Sequence, residues 1–129
     1  MKKLTSYALI LVVVSLFLGA CNNTTSPETN ETTVLIDGNE VSPDASVYLA
    51  EGFHQIDVSS DQAVNVIITE VIYYVGGDHD RKGVNLACNH VSYPFGVVSD
   101  LSRTYFEIVV EYENGQRELI LLSIYPDFR

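Results

Sequence analysis

The sequence predicts an all-β fold, an antiparallel two-sheet sandwich of about seven or eight short strands after a disordered tether. Three observations carry this prediction. Beyond Thr32 the apolar residues recur with a period of two rather than 3.6. Turn pairs such as Asp37-Gly38 and Asn114-Gly115 punctuate the apolar runs. No stretch of the domain shows the i, i+3, i+4 spacing of an amphipathic helix.

The segment from Asn22 to Thr32 consists of Asn, Thr, Ser, Pro and Glu without an aliphatic residue, which is the composition of a disordered tether. A chain of that length reaches at most ~35 to 40 Å and averages nearer ~20 Å as a coil. Residues 33–129 then make one domain, large enough for a single core. Val34 and Ile36 lead into the Asp37-Gly38 turn, and Val47 to Ala50 and Phe53 to Val58 are short strands. Val64 to Val75 is a longer strand whose apolar phase begins as Val64, Val66, Ile68 and resumes as Val71, Tyr73, Val75. That slip of one predicts a bulge near Thr69-Glu70. Gly76 to Gly83 is a polar loop, Val84, Leu86 and Cys88 alternate on the next strand, and Pro94 and Gly96 interrupt the chain before Val97-Val98.

The last unit is a hairpin. Thr104 to Glu113 and Gln116 to Tyr125 flank Asn114-Gly115, the pair favoured in a two-residue type I′ turn. That loop length would set Val110 opposite Leu119 and Ile108 opposite Leu121 on a core face. The other face would then carry Tyr105, Val109, Ile120, Leu122 and Ile124, bordered by Glu107, Glu111 and Glu118. One strand would be apolar on both faces, so this second face is the candidate contact surface. The same register places Glu111 directly across from Glu118, a repulsion that a longer turn, a nearby arginine or simple exposure would relieve.

The N-terminus resembles a bacterial lipoprotein signal peptide. Lys2-Lys3 form the basic region, Ala8 to Leu18 the apolar run, and Leu18-Gly19-Ala20-Cys21 the lipobox. The run is shorter than the ~20 residues a spanning helix needs. The resemblance implies removal of residues 1–20, followed by a tether over residues 21–32 that starts at a lipidated Cys21. Diacylglycerol would sit on its thiol, and a further acyl chain such as palmitate could sit on its amine. Two chains hold a protein to a bilayer far more firmly than one. The implied location is the cell envelope, and Asn22 after the lipidated position implies the outer membrane in a Gram-negative cell. With Cys21 committed to lipid, Cys88 has no partner; no internal disulfide is expected, and Cys88 should be buried.

Cleavage would remove Lys2 and Lys3 and take the formal charge from −10 to −12. Arg81, Lys82, Arg103, Arg117 and Arg129 would then face seventeen carboxylates. Such a balance argues against nucleic acid as a partner.

Residues 33–59 resemble PEGA-like and other immunoglobulin-like surface modules. The residues that carry this are Val34-Leu35-Ile36-Asp37-Gly38-Asn39-Glu40-Val41 and, further on, Gly52-Phe53-His54-Gln55-Ile56-Asp57-Val58. Glu51-Gly52 stands where the family usually has Pro-Gly. The resemblance implies an immunoglobulin-like sandwich that binds or spaces rather than catalyses.

Chemistry-bearing residues are few. Cys88 and His90, two apart on a presumed strand, would share a face, and His54 could complete a metal site only if the fold brought it alongside. Asp78 and Asp80 lie in a Gly-flanked loop that could offer oxygens to a cation. Phosphate loops, nucleophile elbows and CxxC pairs are absent, so no enzyme and no cofactor beyond the covalent lipid are expected. The expected function is that of a lipid-anchored envelope binding or accessory module, held by the membrane and partnered by another envelope protein. An inhibitor or immunity lipoprotein capturing a basic hydrolase is the alternative, and a small metal-dependent domain a lesser one.

Overall fold

The computed structural model describes residues 20–22 and 32–128. They form two five-stranded sheets and no helix. Sheet I has the order β1 (Ala20–Asn22), β8 (His90–Val97), β5 (Gly52–Ser60), β2 (Thr32–Ile36), β3 (Asn39–Glu40). Sheet II has the order β4 (Ser46–Leu49), β10 (Arg117–Pro126), β9 (Leu101–Tyr112), β6 (Ala63–Tyr74), β7 (His79–Leu86). Every ladder is antiparallel except β4 on β10. The strand total exceeds the expected seven or eight because the short pieces β1 and β3, of three and two residues, add to it, and β7 is longer than expected because residues 79–83 pair instead of looping. The expected leader before Ala20 and most of the expected tether lie outside the described residues.

The core lies between the sheets. Ile56 and Val58 of β5 and Val91, Tyr93, Phe95 and Val97 of β8 face Val66 and Ile68 of β6, Phe106, Ile108 and Val110 of β9, and Ile120, Leu122 and Ile124 of β10. Phe106 anchors the middle, meeting Phe95 edge-on at 5.0 Å and Tyr93 at 6.2 Å between ring centroids.

Glu70 also sits in this core, fully buried. The expected bulge at Thr69-Glu70 does not occur. The β6–β9 ladder runs unbroken from Asn65 to Tyr73, and its irregularities fall at Ala63/Asn65 and Tyr73/Tyr74. The apparent slip in the sequence arises because a carboxylate takes a core position while Val71, next to it, is buried on the opposite face. Tyr93 OH donates to Glu70 Oε1 at 2.9 Å, joining the two sheets through the core.

The hairpin turn is one residue longer than expected. Tyr112 N–H donates to Gln116 O at 2.9 Å and Gly115 N–H to Tyr112 O at 2.9 Å, so the loop is Glu113-Asn114-Gly115. Asn114 Oδ1 accepts from Gln116 N–H at 3.0 Å, and Gly115 takes φ +84°, the left-handed residue that closes a three-residue hairpin. The added residue turns β10 over relative to the expected register. Ile108 pairs with Ile120, Val109 with Leu119, Glu107 with Leu121 and Glu111 with Arg117. We expect Gly115→Ala to destabilise the domain by about 1 kcal/mol, from the strain of a Cβ in the left-handed region. Urea denaturation would check it, and an unchanged midpoint would contradict the turn assignment.

Candidate functional site

The shifted register divides the expected contact residues between two faces. Tyr105, Glu107, Val109 and Glu111 of β9 point outward. Ile120, Leu122 and Ile124 do not: they are core, at most 1% exposed. Their outward places on β10 are taken by Leu119, Leu121, Ser123 and Tyr125. The like-charge pair is also absent, because Glu111 meets Arg117 with Oε2 to Nη2 at 2.8 Å and accepts a hydrogen bond from Asn65 at 2.8 Å. The Asn65 bond, with Arg117, holds the Glu111 carboxyl below its ordinary pKa. Glu118 points the other way, into a polar cluster where its Oε2 accepts from Thr32 Oγ1 at 2.8 Å and from Tyr112 OH at 3.0 Å. Ser60 Oγ lies 3.1 Å from the same Tyr112 hydroxyl, so the cluster bridges both sheets at the end where β2 begins.

The outer face of sheet II is therefore the candidate site, built from four full-length strands and the short β4. Its end near the Glu118 cluster is aliphatic, with Ile67, Val109, Leu119 and Leu121 in adjacent positions. Leu119 is 61% exposed. The far end is aromatic and cationic. The Arg103 guanidinium lies 5.1 Å from the Tyr73 ring centroid and 5.8 Å from that of Tyr105. Tyr48 of β4 stacks on Tyr125 at 5.4 Å, and His79 of β7 lies 6.2 Å from Tyr73. Arg81 faces Val71 in the β7–β6 ladder and shares this surface.

Sheet I presents a different outer face. Its outward positions on β5 and β8 are Phe53, Gln55, Asp57, Ser59, His90, Ser92, Pro94 and Gly96, of which Phe53 and Gln55 are exposed and the rest half-buried. Asp57 is saturated locally by Gln55 at 3.1 Å and by the Ser92 hydroxyl. Phe53 lies across from Gly96 and is 90% exposed.

The possible metal ligands are not brought together. Cys88 lies in the bend between β7 and β8 rather than on a strand, and His90 points outward with Nε2 3.8 Å from Asp57 Oδ1. His54 pairs with Phe95, five residues along β8 from His90 and hence about 17 Å away. There it is engaged: Nδ1 is 2.5 Å from Asp37 Oδ2 and Nε2 2.7 Å from Ala50 O. Burial alone would lower the His54 pKa, but the bonds to Asp37 and Ala50 raise it. Asp80 accepts from Tyr74 OH at 3.1 Å. Among the described residues no group of three His, Cys, Asp or Glu is placed to hold a metal ion.

Cys88 is buried, at 1% exposure, but the expectation of no internal disulfide is overturned. Cys21 and Cys88 are bonded, their Cα atoms 6.0 Å apart. The reason is local: β1 docks antiparallel on β8 and sets Cys21 opposite Val91, three residues from Cys88. The lipobox resemblance implies that the Cys21 sulfur carries lipid, and on that basis Cys88 was expected to have no partner. A sulfur in a disulfide has no thiol left to alkylate, so disulfide and thioether are alternative fates of one atom.

No protein-family profile matches the chain, and no curated protein matches it. Among solved structures the N-terminal domain of PorA is similar at 16% identity, over 74% of this chain and 96% of that one, with a TM-score of 0.33. A likeness at that level carries no argument.

Proposed function

We propose that the protein is a lipid-anchored envelope module that acts by binding, through the outer face of sheet II. The observation that carries this is the contrast between the two outer faces. One carries hydrogen-bonded polar side chains around Asp57, with Phe53 as its exposed large apolar residue, whereas the other gathers three exposed large apolar side chains, Tyr48, Tyr73 and Leu119. An aliphatic patch continuous with an end rich in aromatic residues and arginine has the composition of protein contact surfaces. Support for anchoring comes from the Leu18-Gly19-Ala20-Cys21 lipobox, and the PEGA-like pattern of residues 33–59 agrees with a non-catalytic surface module. No helix among the described residues is long and apolar enough to cross a membrane.

The anchored state carries a chemical expectation. Lipid on the Cys21 sulfur leaves Cys88 as a buried thiol, so peptides from the membrane fraction should show lipidated Cys21 and, after denaturation, an alkylatable Cys88. A freely diffusing chain that yields only a Cys21–Cys88 linked peptide would remove the anchor from this proposal. The binding face is tested by a photo-crosslinking residue placed at Leu119 in intact cells, with Gln55 on the opposite sheet as control. A discrete adduct from position 119 and none from position 55 is expected; the reverse pattern, or no adduct from either, would overturn the assignment.

A further inference from the structure

Cations are scarce in this chain and unevenly placed. Of Arg81, Lys82, Arg103 and Arg117, the four Lys and Arg among the described residues of the domain, three lie on the outer face of sheet II. Arg117 is neutralised by Glu111, leaving Arg81 and Arg103 to set the sign of the far end. Across five strands that end presents these two arginines, His79, tyrosines and the small residues Ser46, Ser123 and buried Val71, without a carboxylate. In a chain of formal charge −10 these outward rows hold two arginines and no carboxylate, while Asp78, Asp80 and Asp100 line the adjoining tip beside His79.

Resting on the binding reading above, we infer that this patch receives the carboxylates of an acidic protein partner, with the aliphatic end of the same face covered by the partner's apolar surface. Three observations select that occupant. First, the Arg103 guanidinium lies over Tyr73 and Tyr105, which occupies ring faces a sugar would stack on while leaving in-plane N–H groups for a carboxylate. Tyr48 and Tyr125 likewise cover each other. Secondly, the face spans five strands by about four cross-strand rows, on the order of 600 Å², close to the ~800 Å² each partner contributes to a standard protein interface. Thirdly, the patch lies about 27 Å along the strands from the end where β1 and the start of β2 sit, which removes it from an anchoring bilayer surface.

A second copy of this chain fits poorly, since its matching face would bring the same arginines, with Glu107 alone near the centre, instead of an array of carboxylates to receive them. The patch is bounded by Glu107 on one side and by Asp78, Asp80, Asp100 and Asp127 in the segments at the tip. An acidic partner displaced from the arginines would meet these carboxylates, so the same charges that frame the site fix the partner's position on it.

The test uses the protein purified from membranes in detergent micelles, titrated with an acidic Glu/Leu peptide, with oligogalacturonate as an anionic glycan, and with hexalysine. The expected result is binding of the peptide at low ionic strength, weakened about tenfold by Arg81→Glu or by Arg103→Gln and suppressed near 0.3 M salt. Arg81 lies on an exposed edge strand, so its variant keeps the test independent of any folding defect from Arg103. Stronger binding of oligogalacturonate would overturn the protein assignment, and binding of hexalysine, or no response to either substitution, would overturn the sign. The in-cell adduct from position 119 separates the two proposals. If it forms equally with Arg81→Glu, the acidic partner is lost and the binding face stands; if it never forms, the binding face itself is lost.

Discussion

Gly83→Ala will unseat β7. Gly83 pairs with Thr69 so closely that an added Cβ would fall inside the carbonyl oxygen of Ile68, a backbone atom with no rotamer to yield. Nothing flexible separates the two strands at this point. Either β7 lifts from β6 along its eight-residue ladder or both strands distort, and we expect a loss of about 3 kcal/mol, the upper end for overpacking. Urea denaturation would show the lowered midpoint, and hydrogen exchange would localise faster opening to residues 79–86. An alanine variant with unaltered midpoint and exchange would show that the close approach does not exist.

Glu70→Gln should do the opposite and stabilise the domain at neutral pH. Burial raises the Glu70 pKa, against the lowering effects of the Tyr93 hydroxyl and the Lys82 ammonium, whose Nζ stands 3.9 Å from Oε1. Its second oxygen, Oε2, has no hydrogen-bond partner among the described residues, nor has Thr104 Oγ1, diagonal to it across the β6–β9 ladder. An unpartnered buried polar atom costs about 1 to 3 kcal/mol. Glutamine keeps the shape and the oxygen that accepts from Tyr93, removes the charge, and adds a donor; a gain of about 1 to 2 kcal/mol is expected. The pH dependence has a definite sign. Below the ordinary carboxyl value of 4.5 both folded and unfolded chains hold the Glu70 proton. Above it the unfolded chain ionises first, so this residue's contribution falls as pH rises through the window up to the raised folded value. Glu70→Gln lacks that fall, and the difference between the two stability curves should widen across the window and then level. Parallel curves would mean that Glu70 ionises normally in the folded protein.

These two residues also mark where the sequence could and could not be read. The period of two and the turn pairs were enough for an all-β, two-sheet fold, because alternation is imposed by the pleat wherever one face is buried. The position of Glu70 was not legible: a carboxylate inside and Val71 buried outside look like a slipped phase when apolar character stands in for burial. Gly76 to Gly83 looked like a loop because turns and edge strands share Gly, Asp and Lys, and only the β6 ladder shows that residues 79–83 pair. For the site, Asn114-Gly115 announced the hairpin but not its length, and Asn-Gly serves both two- and three-residue loops. That single residue decided which side of β10 faced out, so Tyr105, Val109, Glu107 and Glu111 were found and Leu119, Leu121 and Tyr125 were missed. The unfavourable Glu111–Glu118 pairing was the available signal, since the longer turn exchanges it for Glu111–Arg117. The grouping of Arg81 with Arg103 depends on strands far apart in sequence, which no local pattern encodes.

The Thr32–Glu118–Tyr112–Ser60 cluster has a mechanical consequence. A body tied down through the residues before Thr32 and gripped at the opposite tip is loaded in tension parallel to its strands. The pull then reaches β2, whose ladder to β5 resists it in shear, with its five register pairs sharing the force instead of parting one after another. Glu118 and Tyr112 add a side-chain rivet from the second sheet at the point where the force enters, so both layers would take up the strain together.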